Sequence, residues 1–139
     1  MSAEVCVFIQ DSRVPSRNIW QKELKEAGFP VILDPMLNLR ECNGSSTTLY
    51  NGQDCEFELH LEPAADYVKS HPGIAREVGD RNLCASFRWG HDLREFAVAI
   101  SAAAALTRLT DGIYYDPESE NTLTANKVYD GTRQVLSLF

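Results

Sequence analysis

The chain has 139 residues, of which 44% are apolar and 24% are charged, so it is long enough for one folded domain and too apolar to be disordered. Its 20 acidic and 13 basic residues give a net charge of −7 at pH 7. This balance disfavours nucleic acid and anionic membranes as partners and favours a basic protein.

The first third of the chain predicts a strand, a helix, a second strand and a loop. Residues 4–10 are rich in β-branched and aromatic side chains, which is typical of a central strand. Ser16 suits the N-cap of an amphipathic helix, and Gly28 suits its C-terminal end. Residues 31–33 predict a short strand, whereas residues 36–46 show no periodicity and predict a loop.

The clearest hairpin signal is the pair Asn51-Gly52, which suits the positive φ angles of a two-residue turn. Residues 47–50 and 55–62 flank this turn as strands. In the second strand, alternate residues are apolar and predict the buried face: Cys55, Phe57, Leu59 and Leu61. The residues between them point away from the core and form an acidic ladder: Glu56, Glu58, His60 and Glu62.

A short helix is predicted between Pro63 and Pro72, because proline suits the first turn of a helix and a Pro-Gly pair ends one. Asp66 lies in this helix and adds a carboxylate close to the ladder in sequence. Residues 73–81 are polar and predict a loop. Residues 82–89 predict another strand.

The longest apolar helix is rich in alanine and is predicted from Leu93 to Leu109. Asp92 and Glu95 predict a capping box at its start, and Gly112 predicts a left-handed residue at its end. The helix is apolar on two faces, so we expect it to be buried on both sides. Its polar residues recur every seventh position and form a stripe that is expected to reach water: Arg94, Ser101 and Arg108.

A strand at residues 113–115, a turn and a helix capped by Thr124 complete the chain. Gly131 lies inside this last helix, where glycine costs about 1 kcal/mol relative to alanine. The order of elements predicts a single α+β domain over residues 1–139, with a mainly antiparallel sheet, helices packed on one side and the Ala-rich helix at its centre.

The cysteines show no Cys-x-x-Cys pair and no zinc spacing, so we expect reduced thiols: Cys6, Cys42, Cys55 and Cys84. The N-terminus lacks the basic region and apolar core of a secretory signal. No apolar run approaches the roughly eighteen residues of a membrane span. These features favour a cytoplasmic protein.

The densest cluster of potentially reactive side chains lies before the Ala-rich helix: Arg88, Trp89, His91, Asp92 and Glu95. A histidine with two carboxylates suits acid–base chemistry or metal binding. A structural interpretation is favoured, because helix capping already explains both carboxylates. The spacing of His60, His71 and His91 matches no metal motif, and the sequence has no Gly-x-Ser-x-Gly elbow or glycine-rich phosphate loop, so neither a cofactor nor a metal is predicted.

Several segments resemble a group of small acidic bacterial proteins: Trp20-Gln21, residues 79–82, residues 87–90, the Ala-rich helix and residues 111–117. The resemblance covers most of the chain from about Trp20 onward, and its motifs are structural in character. It implies an immunity protein, which neutralises a toxin delivered between competing cells.

The first hypothesis is therefore a non-catalytic immunity protein that occludes a basic surface of a cognate toxin. The residues expected to bind the partner are the carboxylates and histidine of the acidic segment, with an aromatic anchor: Glu56, Glu58, His60, Glu62, Asp66, Tyr50 and Trp89. Two alternatives remain, namely a small enzyme using His91 with Asp92 or Glu95, and a regulatory or scaffold domain that forms a homodimer through the Ala-rich helix.

Overall fold

The structure is a computed structural model that describes residues 3–139. Residues 1 and 2 lie outside the described residues. The domain predicted over residues 1–139 and the predictions about the N-terminus include them. The strands are β1 (Ala3–Ile9), β2 (Val31–Ile32), β3 (Asn43–Tyr50), β4 (Gln53–Pro63), β5 (Leu83–Trp89), β6 (Ile113–Asp116) and β7 (Asn121–Leu123). The helices are α1 (Arg17–Glu26), α2 (Ala64–Ser70), α3 (Ala75–Val78), α4 (Leu93–Thr110) and α5 (Ala125–Leu136).

The strands form one antiparallel sheet in the order β2-β3-β4-β5-β1-β6-β7. The predicted α+β class and the antiparallel sheet are therefore confirmed. β1 lies between β5 and β6, as its apolar sequence indicates for a strand covered on both faces. The hairpin between β3 and β4 turns at Asn51 and Gly52, whose φ angles of 50° and 80° are both positive, as predicted.

The three long helices cover one face of the sheet. The Ala-rich helix α4 contacts the sheet and is flanked by α1 and α5. Every residue from Ala97 to Thr107 is buried, so burial on both sides is confirmed. The predicted stripe to water is wrong at Ser101, which is fully buried and donates its hydroxyl hydrogen to Ala97 O at 2.7 Å. The middle of α4 is enclosed within the described chain, while Leu93 at its start is 66% exposed, and a homodimer through this helix stays a prediction.

The short helices α2 and α3 lie on the opposite face, so the prediction that helices pack on one side holds only for the long ones. They form a second, smaller core with strand residues of that face, including Phe8, Cys84 and Tyr115. The physical reason is that the strands of these residues carry apolar side chains on both faces of the sheet, so each face needs a cover. The other half of this face carries polar residues and has no helix over it.

Two predicted helix caps differ in detail. Asp92 accepts a hydrogen bond from Arg94 N at 2.8 Å, while Glu95 Oε1 accepts from Gly90 N at 3.2 Å, so the two side chains do not form a reciprocal capping box. At the other end of α4, the left-handed residue is Asp111, with φ 51°, rather than Gly112. Gly112 is required for another reason, because a Cβ atom there would lie 2.8 Å from Phe8 O.

Candidate functional site

The uncovered half of the second sheet face is the candidate site. Cross-strand partners share a face, so the register places Glu58 beside Ser45 on one side and Arg88 on the other. We call this surface the open sheet face, and its polar residues are Glu4, Asn43, Ser45, Thr47, Asp54, Glu56, Glu58, His60 and Arg88. It therefore combines residues of four adjacent strands into one polar surface.

The open sheet face has an excess of negative charge. Glu4 Oε1 lies 3.5 Å from Arg88 Nε, so one of the four carboxylates of this face is paired with its only guanidinium among the described residues. Glu58 lies 3.5 Å from His60 Nε2, while His60 Nδ1 is hydrogen-bonded to Asn43 Oδ1 at 2.7 Å. The side chain of Glu58 is 50% exposed, and Glu56 is exposed as well. Both ladder glutamates are therefore available to a partner.

The other two predicted acids lie at the border of this surface. Glu62 is opposite Cys84 in the register, where the second core begins, and is half-buried. Asp66 lies in the first turn of α2 and is exposed. The structure thus gathers Glu56, Glu58 and His60 on the open sheet face and leaves Glu62 and Asp66 beside it.

Neither predicted aromatic anchor lies on the open sheet face. Tyr50 is 4% exposed on the helix-covered face and packs against the ring of Phe139. Trp89 also lies on the helix-covered face, with its ring centroid 5.1 Å from that of Phe96. Tyr50 is thus buried away from the ladder, whereas Trp89 is half-buried at the end of β5 and lines a small pocket together with Glu56 and Glu58. The part of either residue in partner binding stays a prediction.

The junction before α4 is organised as a helix start. The pKa of Asp92 is lowered because its carboxylate accepts hydrogen bonds from the backbone and then the side chain of Arg94. Arg94 also donates to Gln53 Oε1 at 2.8 Å, which ties the helix start to the hairpin. The exposed side chain of His91 thus stands beside carboxylates that are already engaged: Asp92 and Glu95.

A metal site built from the three histidines is not formed. Within residues 3–139, no three side chains of histidine, cysteine, aspartate or glutamate lie close enough together to hold a metal ion. His71 instead stacks on Tyr67, with ring centroids 4.3 Å apart. Four free cysteines are present in the same range, as expected. Burial raises the pKa of the Cys42 and Cys55 thiols to about 11, which keeps them protonated and weakly nucleophilic at neutral pH.

Sequence reasoning missed the part of the site that β3 contributes. Asn43, Ser45 and Thr47 face the same side as the ladder, but the first two fall in a segment predicted to be a loop. The sequence carries no alternating signal here, because the residues that face the helices between these positions are Gly44 and Ser46, which are not apolar. Arg88 and Glu4 were also not expected to meet, since their strands are far apart in sequence.

No family model matches the sequence, and no curated protein matches it either. In the described part of the chain, none of the helices combines the length and the apolar character that crossing a membrane requires. The geometry defines the protein as a single α+β domain with an open, acidic sheet face.

Proposed function

We propose that the protein is a non-catalytic binding protein that recognises a basic protein partner through the open sheet face. Within this class, the function that the resemblance and the acidic surface favour is that of a cytoplasmic immunity protein, which occludes the basic active surface of a cognate toxin. The observation that carries the proposal is the exposed pair Glu56 and Glu58 on a sheet face that no helix covers.

The spacing of the ladder suits recognition of a basic surface. Successive residues on one face of a strand are roughly 7 Å apart, so Glu56 and Glu58 present two carboxylates at a fixed separation. A rigid strand holds them, which lowers the entropy lost when a partner orders them. Among the described residues, the one guanidinium of this face belongs to Arg88 and lies against Glu4, while Glu58 lies near the His60 imidazole. Lysine or arginine side chains of a partner can therefore bind Glu56 and Glu58.

The arrangement also supports binding over catalysis. The carboxylates nearest to His91 in sequence already accept backbone hydrogen bonds, Asp92 from Arg94 N and Glu95 from Gly90 N. The thiols of Cys42 and Cys55 have raised pKa values. A long-range acidic field would accelerate association with a basic partner and make the rate depend on salt. Affinity itself would come from the polar and apolar contacts around the carboxylates.

The test uses the product of the gene next to this one in the source genome. We expect that product to arrest growth when it is expressed alone, and co-expression of the present chain to restore growth. The double change Glu56→Lys and Glu58→Lys is expected to weaken the purified complex by about 100-fold, mainly through slower association at low salt. Growth protection should be lost in parallel.

Asp130→Lys provides the matched control. Asp130 lies on α5, on the other side of the sheet, with a side chain that is 78% exposed and only a distant ion pair to Arg133 at 3.9 Å. Asp130→Lys changes the net charge in the same direction as each ladder substitution. Comparing the variants therefore separates a local effect on binding from a general loss of negative charge. Equal binding by the ladder double variant and the unchanged protein would overturn the proposal.

A further inference from the structure

A second surface feature borders the open sheet face at Glu4. A groove of about 440 Å³ runs between α4, α5 and the ends of β1, β6 and β7. Its apolar wall includes Trp89, Phe96, Val128 and Val135. This volume falls within the range of small-molecule sites, which are mostly apolar with a few polar groups.

Gly131 keeps one wall of the groove open. It lies inside α5 between Val128 and Val135, at helical spacings of three and four residues, and faces the groove with them. A Cβ atom at Gly131 would have no heavy atom within 4 Å, so close packing does not require a glycine. Glycine costs about 1 kcal/mol relative to alanine inside a helix, so helix propensity does not explain the residue, and the open space beside it belongs to the groove.

The rim of the groove carries more negative than positive charge. Asp116 is held in place because its Oδ1 accepts from Glu118 N at 3.0 Å and its Oδ2 accepts from Ser119 Oγ at 3.1 Å. Glu118 is exposed, and among residues 3–139 it forms no ion pair with Lys127, the basic residue of the groove. The aromatic rings of Trp89 and Phe96 add faces that attract cations.

We propose that this groove binds a small organic ammonium ion with an aromatic or branched apolar body. The apolar body lies against Trp89 and Val128, in the space beside Gly131, and the ammonium group lies at the rim near Asp116 and Glu118. The carboxylates supply charge complementarity, and the apolar wall supplies the contact area. The groove borders the open sheet face at Glu4, but its lining does not include Glu56 or Glu58.

Phenethylammonium is a suitable probe, and proton–nitrogen correlation spectra of the two tryptophan indoles provide the readout. We expect the Trp89 indole signal to shift in a saturable manner. The Trp20 signal should remain in place, because that indole is buried and donates to Ala102 O at 3.0 Å. Hydrocinnamate has a similar shape with the opposite charge and is expected to bind at least about tenfold more weakly, which corresponds to about 1.4 kcal/mol.

Variants at Gly131 separate the groove from the fold. Gly131→Leu is expected to fill the groove and weaken phenethylammonium binding by at least about tenfold. Gly131→Ala adds only a methyl group and should weaken binding less, while it raises the midpoint of thermal unfolding. Glu118→Gln changes only an exposed carboxylate, so it should weaken binding several-fold and leave the fold intact. It therefore tests the groove even if Gly131→Leu does not fold.

Three outcomes would overturn the proposal. The first is the absence of a saturable Trp89 shift with phenethylammonium in the unchanged protein. The second is equal binding of phenethylammonium and hydrocinnamate, and the third is binding that neither Gly131→Leu nor Glu118→Gln weakens. None of these outcomes depends on whether Glu56 and Glu58 bind a basic protein.

Discussion

Tyr129 connects three helices through a single side chain. Its hydroxyl donates to Glu23 Oε2 on α1 at 2.7 Å, and the guanidinium carbon of Arg108 on α4 lies 3.7 Å from its ring centroid. Its ring also packs against Phe29. Burial raises the pKa of Tyr129, and the Glu23 carboxylate raises it further. The phenol is therefore held in its neutral, donating form.

Tyr129→Phe tests the contribution of this hydrogen bond. The change keeps the ring, so we expect the free energy of unfolding to fall by about 1 kcal/mol at neutral pH, which is modest for a bond to a charged group because Glu23 is half-exposed. A tyrosine titrates near pH ~10 in an unfolded chain. Since folding raises its pKa, the stabilisation is present below that pH and decreases as the pH rises above it.

Urea unfolding of both proteins across this pH range provides the measurement. Tyr114→Phe serves as a control, because the hydroxyl of Tyr114 has no hydrogen-bond partner within the described residues, and its removal should have a smaller effect. If the stability difference between the unchanged protein and Tyr129→Phe grew as the pH rose, the neutral Tyr129 hydroxyl would not be the source of the stabilisation.

At the scale of elements, side chains of α1 cover the exposed edge of the sheet. Strand β2 is an edge strand of two residues. The side-chain amide of Gln21 donates to Val31 O at 2.9 Å and accepts from Leu33 N at 2.7 Å, so it pairs with the edge as a neighbouring strand would. Arg17 donates to Leu33 O at 2.6 Å. The edge is thereby closed to pairing with another chain.

Gln21→Ala removes both amide hydrogen bonds at once. We expect a loss of about 1–3 kcal/mol in the free energy of unfolding, because the Leu33 amide and the Val31 carbonyl lose their partner. Hydrogen exchange at the Leu33 amide should become faster. Lys22→Ala is the neighbouring control, since Lys22 is 74% exposed and its ion pair with Glu26 spans 3.9 Å. Unchanged exchange at Leu33 in the Gln21 variant would show that the amide does not protect the edge.

Periodicity over many residues made the main elements predictable. The helical spacing of apolar residues indicated α1, α4 and α5, and strict alternation indicated which side of β4 is exposed. Short elements were missed, because α3 has four residues and β7 has three, which is too few for a periodic pattern. Helix capping was predicted only in part, since Asp92 accepts from Arg94 N as an N-cap does, whereas Glu95 accepts from Gly90 N instead of closing the capping box.

The orientation of the aromatic residues was within reach of the sequence. A two-residue turn at Asn51-Gly52 places Tyr50 opposite Gln53, and Gln53 shares a face with the buried Cys55. Tyr50 must then face the core. Trp89 is likewise separated from Phe87 by one residue and shares its face. What could not be predicted is which half of the second sheet face the short helices cover, because this depends on contacts between distant segments.

At the scale of the whole molecule, one sheet separates two cores, and its central strands belong to both. In β1, Val7 lies in the larger core and Phe8 in the smaller one. In β5, Ala85 and Cys84 are divided in the same way. Because β1 and β5 support both cores, neither core can lose its strands without disturbing the other. We therefore expect cooperative unfolding.

Ile74→Ala tests this coupling from the smaller core. Ile74 is 6% exposed and packs in that core, so its truncation should cost about 2–5 kcal/mol. The Trp20 and Trp89 rings lie on the other side of the sheet, yet their fluorescence should report the same reduced urea midpoint as circular dichroism, which follows all the helices.

Ile19→Ala makes the same chemical change on α1, where the side chain is 54% exposed, and should alter stability by no more than about 0.5 kcal/mol. The decisive comparison is between the two signals of the Ile74 variant. If circular dichroism showed an early loss of helix while the tryptophan midpoint stayed unchanged, α2 and α3 would unfold as a separate unit, and the sheet would not couple the two cores.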